Sequence, residues 1–247
     1  MLLSYVGLAI LAGLMSALFV RSVYWVEDFF EKGVGGSCYR QHVLGMAVAG
    51  VLFYTLMASF GHYYTEGAGY ATVQDVLMGW QRPVLLLVLL SAAKLLATCV
   101  APGSGASGGI FSPSLFMGAT LGGAYGILLA RLFPSAGISA PAFAVAGMAG
   151  LVGGSTGAAL AAIVMIFEMT LDYNVIIPMT LTVAIAYQVR KWLSPESIYT
   201  FKLVRRGHRM PEALETNAHL FSPVRDRKIL HCSTAWKACT GPARPSP

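Results

Sequence analysis

A glycine-dense stretch, residues 103–126 (GSGASGGIFSPSLFMGATLGGAYG), lies between two strongly apolar segments, 84–100 and 115–132. The chain is 56% hydrophobic and 11% charged, with mean hydropathy +0.65, whereas a soluble domain carries about 25% charged residues. It therefore reads as an integral membrane protein. Hydrocarbon cannot hydrogen-bond a free N–H or C=O, so irregular backbone at membrane depth survives only when buried in protein or facing a polar cavity. Function is expected at this break.

The residue types specify the chemistry of the break. Gly103, Gly105, Gly108 and Gly109 lack side chains and permit positive φ, which leaves amide N–H groups open to close approach. Pro113 suits the first turn of a helix, where its missing N–H costs nothing, so Ile110, Phe111, Ser112 and Pro113 read as a helix start. The first amides of such a helix have no internal partner and sit at the positive end of its dipole, which makes an anion site without a cationic side chain. A nucleotide-phosphate loop would need Gly-Lys-Ser/Thr, and residues 103–126 contain no lysine. Gly118, Gly122 and Gly126, spaced by four, suit close helix packing.

Gly108–Gly109–Ile110–Phe111–Ser112–Pro113, followed by Leu115 and Gly118–Ala119, resembles the GGxFxP anion-filter motif of the CLC family of voltage-gated chloride channels and chloride/proton exchangers. The segments 146–150 (AGMAG), 163–170 (IVMIFEMT), 177–179 (IPM) and 198–199 (IY) follow the family's order, and the resemblance covers residues 2–209. It implies an all-α polytopic membrane protein with broken and half-spanning helices, the second half of an inverted-repeat pore domain. It also implies anion transport, as channel or exchanger, and no enzymatic activity; the alternatives are a non-conducting membrane fragment that only associates with other subunits and a cation-coupled transporter with broken helices. The implied chloride-binding residues are Gly109, Ile110, Phe111 and the hydroxyl of Tyr199, with Gly105, Gly108, Ser112 and Pro113 forming the filter loop and helix N-terminus. The implied partners are chloride, the lipid bilayer and a second copy, through helices matching 2–20 and 158–189. No cofactor, metal or nucleic acid is implied.

Along the chain, residues 2–20 are long enough to span a hydrocarbon core about 30 Å thick, and 27–40 read as a polar loop. Residues 1–20 lack the basic start and small-residue cleavage site of a removed signal peptide. Residues 43–60 form a second apolar helix and 61–71 a turn-rich connection containing an interfacial His62. A short helix is expected over 72–78, and Pro83 opens the apolar run 84–100. Lys94 lies inside that run, where a charge costs a few kcal/mol unless it snorkels, pairs or faces a cavity. Snorkelling or pairing, and a direct part in the ion path, both stay open for it.

After the filter a helix is expected over 114–132, stopped by Pro134. Residues 142–152 span only about 17 Å as a helix, 153–157 (GGSTG) break it, and 158–169 resume. Short, interrupted apolar segments point to broken helices around a site inside the membrane. Glu168 reads as an interfacial carboxylate, with proton carriage the alternative. The last apolar helix is 175–189, with Pro178 inside it and Arg190 and Lys191 at its water-facing end. Tyr199 reads either as a residue of the aromatic belt or, by the resemblance, as the hydroxyl donor to a central chloride. Lys202, Arg205, Arg206 and Arg209 place the following segment in the cytoplasm by the positive-inside rule. The net charge of +6 comes chiefly from this end of the chain, so it does not argue for nucleic acid. Cys38, Cys99, Cys232 and Cys239 have no zinc-type spacing.

The chain departs from the family pattern at both ends. The family's GSGIP and GREGP motifs, which supply a filter serine and a gating glutamate, do not occur in it. The sequence thus divides into a partial transmembrane domain (1–209), a linker resembling the lead-in to cytosolic CBS domains (210–226) and an irregular tail (227–247). The tail has no apolar periodicity and reads as frameshifted or disordered. The expectation is a cell-membrane, multi-pass chain that does not transport anions alone.

Overall fold

The computed structural model describes residues 2–33, 38–61, 64–65, 67–79, 83–106, 108–134 and 137–200. His62, the basic segment 202–209, the linker 210–226 and the tail 227–247 lie outside them. The described residues form eight α-helices: α1 (Leu2–Gly33), α2 (Cys38–Phe60), α3 (Tyr70–Leu77), α4 (Val84–Gly103), α5 (Phe111–Leu132), α6 (Ala140–Thr156), α7 (Ala159–Thr170) and α8 (Ile176–Leu193). A 3₁₀ turn over Tyr173–Val175 leads into α8. By length and apolarity α1, α2, α4 and α5 can each cross a membrane, while α6 and α7 are shorter apolar helices. The protein is an all-α membrane protein.

The helix α6 is the centre of the fold. It packs against α5, α8, α1, α7 and α3, and every residue from 143 to 155 is buried. A helix that is apolar all round belongs in an interior, and α6 offers its neighbours alanine and glycine on every side. Against α5 the approach is close enough to exclude a methyl group. A Cβ on Gly118 would lie 2.6 Å from the Gly147 carbonyl oxygen and 2.6 Å from Met148 Cα, and one on Gly126 would lie 2.8 Å from Ala140 Cα. The three glycines spaced by four therefore serve helix packing, as their spacing indicates.

Several helix boundaries differ from those read in the sequence. The helix α1 does not stop at 20 but runs 32 residues to Gly33, because the buried positions Val20, Val23, Tyr24 and Phe30 continue its helical period through the polar stretch. At about 48 Å it exceeds the membrane core and must tilt or protrude. The helix α6 does not break at Gly153 but continues to Thr156. A Cβ on Gly153 would meet Val183 Cγ1 at 2.8 Å, and one on Gly154 would meet Ser16 Oγ at 2.5 Å, so these glycines admit α8 and α1 without interrupting the backbone ladder. The break falls at Gly157 alone, whose φ of +80° suits the end of a helix. Pro178 is the third residue of α8, a first-turn position where its ring and missing N–H are tolerated.

Candidate functional site

The segment between α4 and α5 reverses the chain at the point where the sequence anticipates an anion site. Pro102 sits in the last turn of α4, and the carbonyls left unpaired at that end are used in turn. Ser104 N–H donates to Val100 O (2.9 Å), Gly105 N–H to Pro102 O (3.1 Å) and Ala106 N–H to Ala101 O (3.1 Å). Gly105 takes φ +82°. Gly103, Gly108 and Gly109 do not use the positive φ that their lack of a side chain permits. Gly103 is the last helical residue of α4, and a Cβ there would press on Val26 Cγ1 at 2.9 Å. Gly108 and Gly109 are exposed, and a Cβ on Gly109 would meet nothing within 4 Å. Their lack of side chains leaves the approach to the next helix uncovered.

The helix α5 begins at Phe111 after Ile110, whose side chain provides no cap, with Pro113 in the first turn. Ser114 N–H bonds back to Ile110 O at 3.2 Å, and the amides before Ser114 belong to the set that an α-helix cannot satisfy internally. Partial positive charge gathers there. Ser112 and Phe111 are partly buried beside it. Ser112 Oγ reaches the Ala68 carbonyl at 3.4 Å.

Two distant segments meet this helix start. The Oγ of Ser114 lies 3.4 Å from the Oγ of Ser155 in the last turn of α6, and the Ser155 carbonyl accepts from Ile198 N–H at 3.1 Å. Ile198 is buried in a cluster that includes Met117, Leu151 and Tyr24, with Ile110 packed against it. The start of α5, the end of α6 and the irregular segment before Tyr199 thus share one place. Tyr199 itself is 56% exposed. The residues Ser114 and Ser155, which link the three segments, carry no spacing signal that would single them out in the sequence.

Lys94 is 4% exposed. Its ammonium donates to Thr65 O (2.8 Å) and Gly67 O (2.5 Å) and lies 5.3 Å from the centre of the Phe116 ring. It is paired inside the protein with backbone carbonyls and does not snorkel. The loop it holds also receives Thr72 Oγ1 on Tyr64 O at 2.9 Å. Lys94 lines a cavity of about 290 Å³ together with Thr98, Gly108, Gly109, Ile110 and Pro113, so its side chain and the exposed glycine loop before α5 border the same space.

Arg190 corrects another expectation. It is 2% exposed, not water-facing: Nε donates to Gly154 O (2.7 Å), and Nη1 donates to Ser194 O (3.2 Å) and Pro195 O (3.1 Å). The buried positions of α8, Met179, Val183, Ala186 and Arg190, follow helical spacing, so the period of the apolar face already carries the arginine inward. Lys191 and Glu168 are exposed, and Cys99 is buried as a small hydrophobe.

A family profile described as "Voltage gated chloride channel" matches residues 1–191. An H(+)/Cl(-) exchange transporter ClcA of Yersinia pestis bv. Antiqua (strain Angola) is 32% identical over 212 residues, which cover 86% of this chain and 44% of that protein. The crystal structure of a slow cyanobacterial Cl-/H+ antiporter superposes with a TM-score of 0.72 at 32% identity, over 83% of this chain and 47% of that one. A eukaryotic CLC transporter superposes at 0.69 and 26% identity, over 83% of this chain and 35% of its own. The chain spans about half the length or less of the relatives it matches. On the matched profile, the identity and the shared helical framework together, the chain belongs to the voltage-gated chloride channel, or CLC, family.

Proposed function

We propose that this chain is the second half of a CLC-type pore domain and takes part in moving chloride across the cell membrane, as an exchanger or a channel. The observation that carries this reading is the convergence of the α5 N-terminus, the end of α6 and the Ile198–Tyr199 segment through Ser114, Ser155 and Ile198. A dehydrated halide is held by the amides of Gly109, Ile110 and Phe111 and by the Tyr199 hydroxyl, with Gly105, Gly108, Ser112 and Pro113 shaping the loop and the first turn. Donors of fixed orientation replace water around the ion, and no lysine or arginine need touch it. Such a site releases its ion readily, as transport requires. The relatives' own activities, an H(+)/Cl(-) exchange transporter and a Cl-/H+ antiporter by name, favour exchange.

The intact assembly in this reading is a homodimer through residues 2–20 and 158–189, with the basic segment after residue 201 in the cytoplasm by the positive-inside rule. Bromide replaces chloride as an anomalous scatterer in crystals of the chain co-expressed with the amino-terminal half of a family subunit. A bromide peak beside Ile110 and Phe111 is expected, and a peak only elsewhere overturns the assignment. Tyr199→Phe removes a hydrogen bond to a charged partner worth about 1.5–3 kcal/mol, so calorimetric chloride titration should show at least roughly tenfold weaker binding.

A further inference from the structure

The segment after α8 has no regular secondary structure beyond turns, yet it and the last residue of α8 are held by side chains of α1 and α8 and by the backbone of α6. The carbonyl of Leu193 accepts from Arg21 Nη2, and that of Ile198 accepts from the Tyr24 hydroxyl. Those of Ser194 and Pro195 accept from Arg190 Nη1, and Ile198 N–H donates to Ser155 O. Arg190 Nε meanwhile holds Gly154 O, one residue before Ser155. The guanidinium therefore bridges the end of α6, which meets the first turn of α5, to the segment that carries Tyr199. Gly157 closes the other side. A Cβ there would lie 3.3 Å from Arg190 Nη2 and 3.2 Å from Ser197 Cβ.

A guanidinium fits this task and an ammonium does not. Three carbonyl oxygens lie on two sides of the group, and only a planar fork donates to both at once with its orientation fixed by its own geometry. Tyr187 lies against it, with ring centre and Cζ 5.1 Å apart. Burying a charge on neutral carbonyls is a costly way to tie off a chain end, and an apolar contact would hold the fold with less loss. What the arrangement supplies beyond cohesion is a fixed distance between Ser155 and residue 198.

We propose that Arg190, assisted by Tyr24, is a positioning residue for anion binding: the two clamp the segment 194–198 so that the Tyr199 hydroxyl is set against the first turn of α5. This rests on the reading of Tyr199 as an anion ligand. The test is a double-mutant cycle on the chain co-expressed with the amino-terminal half of a family subunit, with chloride affinity read by calorimetry for wild type, Arg190→Lys, Tyr199→Phe and the pair. Tyr199→Phe is expected to weaken chloride by at least about tenfold, Arg190→Lys by a similar factor, and the pair by no more than Tyr199→Phe alone. Factors that multiply in the pair overturn the proposal, as does wild-type affinity in Arg190→Lys. If Tyr199→Phe binds chloride like the wild type, the ligand reading itself fails and the clamp falls with it. Should Arg190→Lys not survive extraction, Tyr24→Phe, which keeps its ring packing and loses only the bond to Ile198 O, is run through the same cycle. The same non-additivity with Tyr199→Phe is expected, and multiplying factors overturn the proposal there too.

Discussion

Replacing Gly118 by alanine should loosen the protein at its centre without removing a hydrogen-bonding side chain. The added Cβ would lie 2.6 Å from Gly147 O and 2.6 Å from Met148 Cα, where carbon atoms settle at about 3.5–4.0 Å. Both neighbours are backbone of α6, so no rotamer change relieves the contact. The reverse contact is equally tight, since a Cβ on Gly147 would lie 2.5 Å from Gly118 O and 3.0 Å from Gly122 Cα. The helices must part by about 1 Å, and a gap of that size forfeits a quarter to a half of each pairwise attraction along the crossing. With the usual cost of overpacking, the loss is about 2–3 kcal/mol. At roughly 2–4 °C per kcal/mol for a chain of this length, the apparent melting temperature should fall by about 4–12 °C. Detergent-solubilised protein carrying a fluorescent tag, heated and then analysed by size-exclusion chromatography, measures this. Gly50→Ala is the control: Gly50 lies within α2 with nothing within 4 Å of its Cβ position, and alanine there should stabilise by up to about 1 kcal/mol. A Gly118→Ala protein that melts with the wild type would refute the account of the α5 and α6 crossing.

Lys94→Met strips the ammonium from Thr65 O and Gly67 O and should destabilise by about 2–4 kcal/mol through two carbonyls left without a donor. Lys94→Arg should restore part of that loss, and equal thermal stability of Lys94→Met and wild type would refute the pairing. The chain expressed alone should give no saturable chloride efflux from liposomes, because one helix terminus contributes only roughly 0.3–2 kcal/mol against the desolvation of an unpaired ion. Co-expression with the amino-terminal half of a family subunit should restore flux, and robust efflux from the chain alone would refute this prediction.

Much of the architecture is legible in the sequence because membrane burial writes itself as composition and length. The apolar runs mark α2, α4 and α5, the proline at 113 marks the first turn of α5, and the fourfold glycine spacing marks the face that meets α6. These are properties of one helix and its immediate solvent, so local residues determine them. The glycines at 153 and 154 look like a break in the sequence and prove to be contact points for α8 and α1. A missing Cβ serves a bend or a close approach equally well, and only the neighbouring helices decide which. Lys94 and Arg190 could each have faced water; each instead turns inward to carbonyls far along the chain, Thr65 and Gly67 for one and Gly154 for the other. Likewise the meeting of Ser114, Ser155 and Ile198 joins residues up to eighty-four positions apart. Sequence alone fixed which segments enter the membrane and which end of α5 carries unpaired amides, since backbone hydrogen bonding and hydrophobicity act locally. Which polar groups those segments bring together was decided by tertiary packing, because partners distant in the chain become neighbours only once the helices have docked.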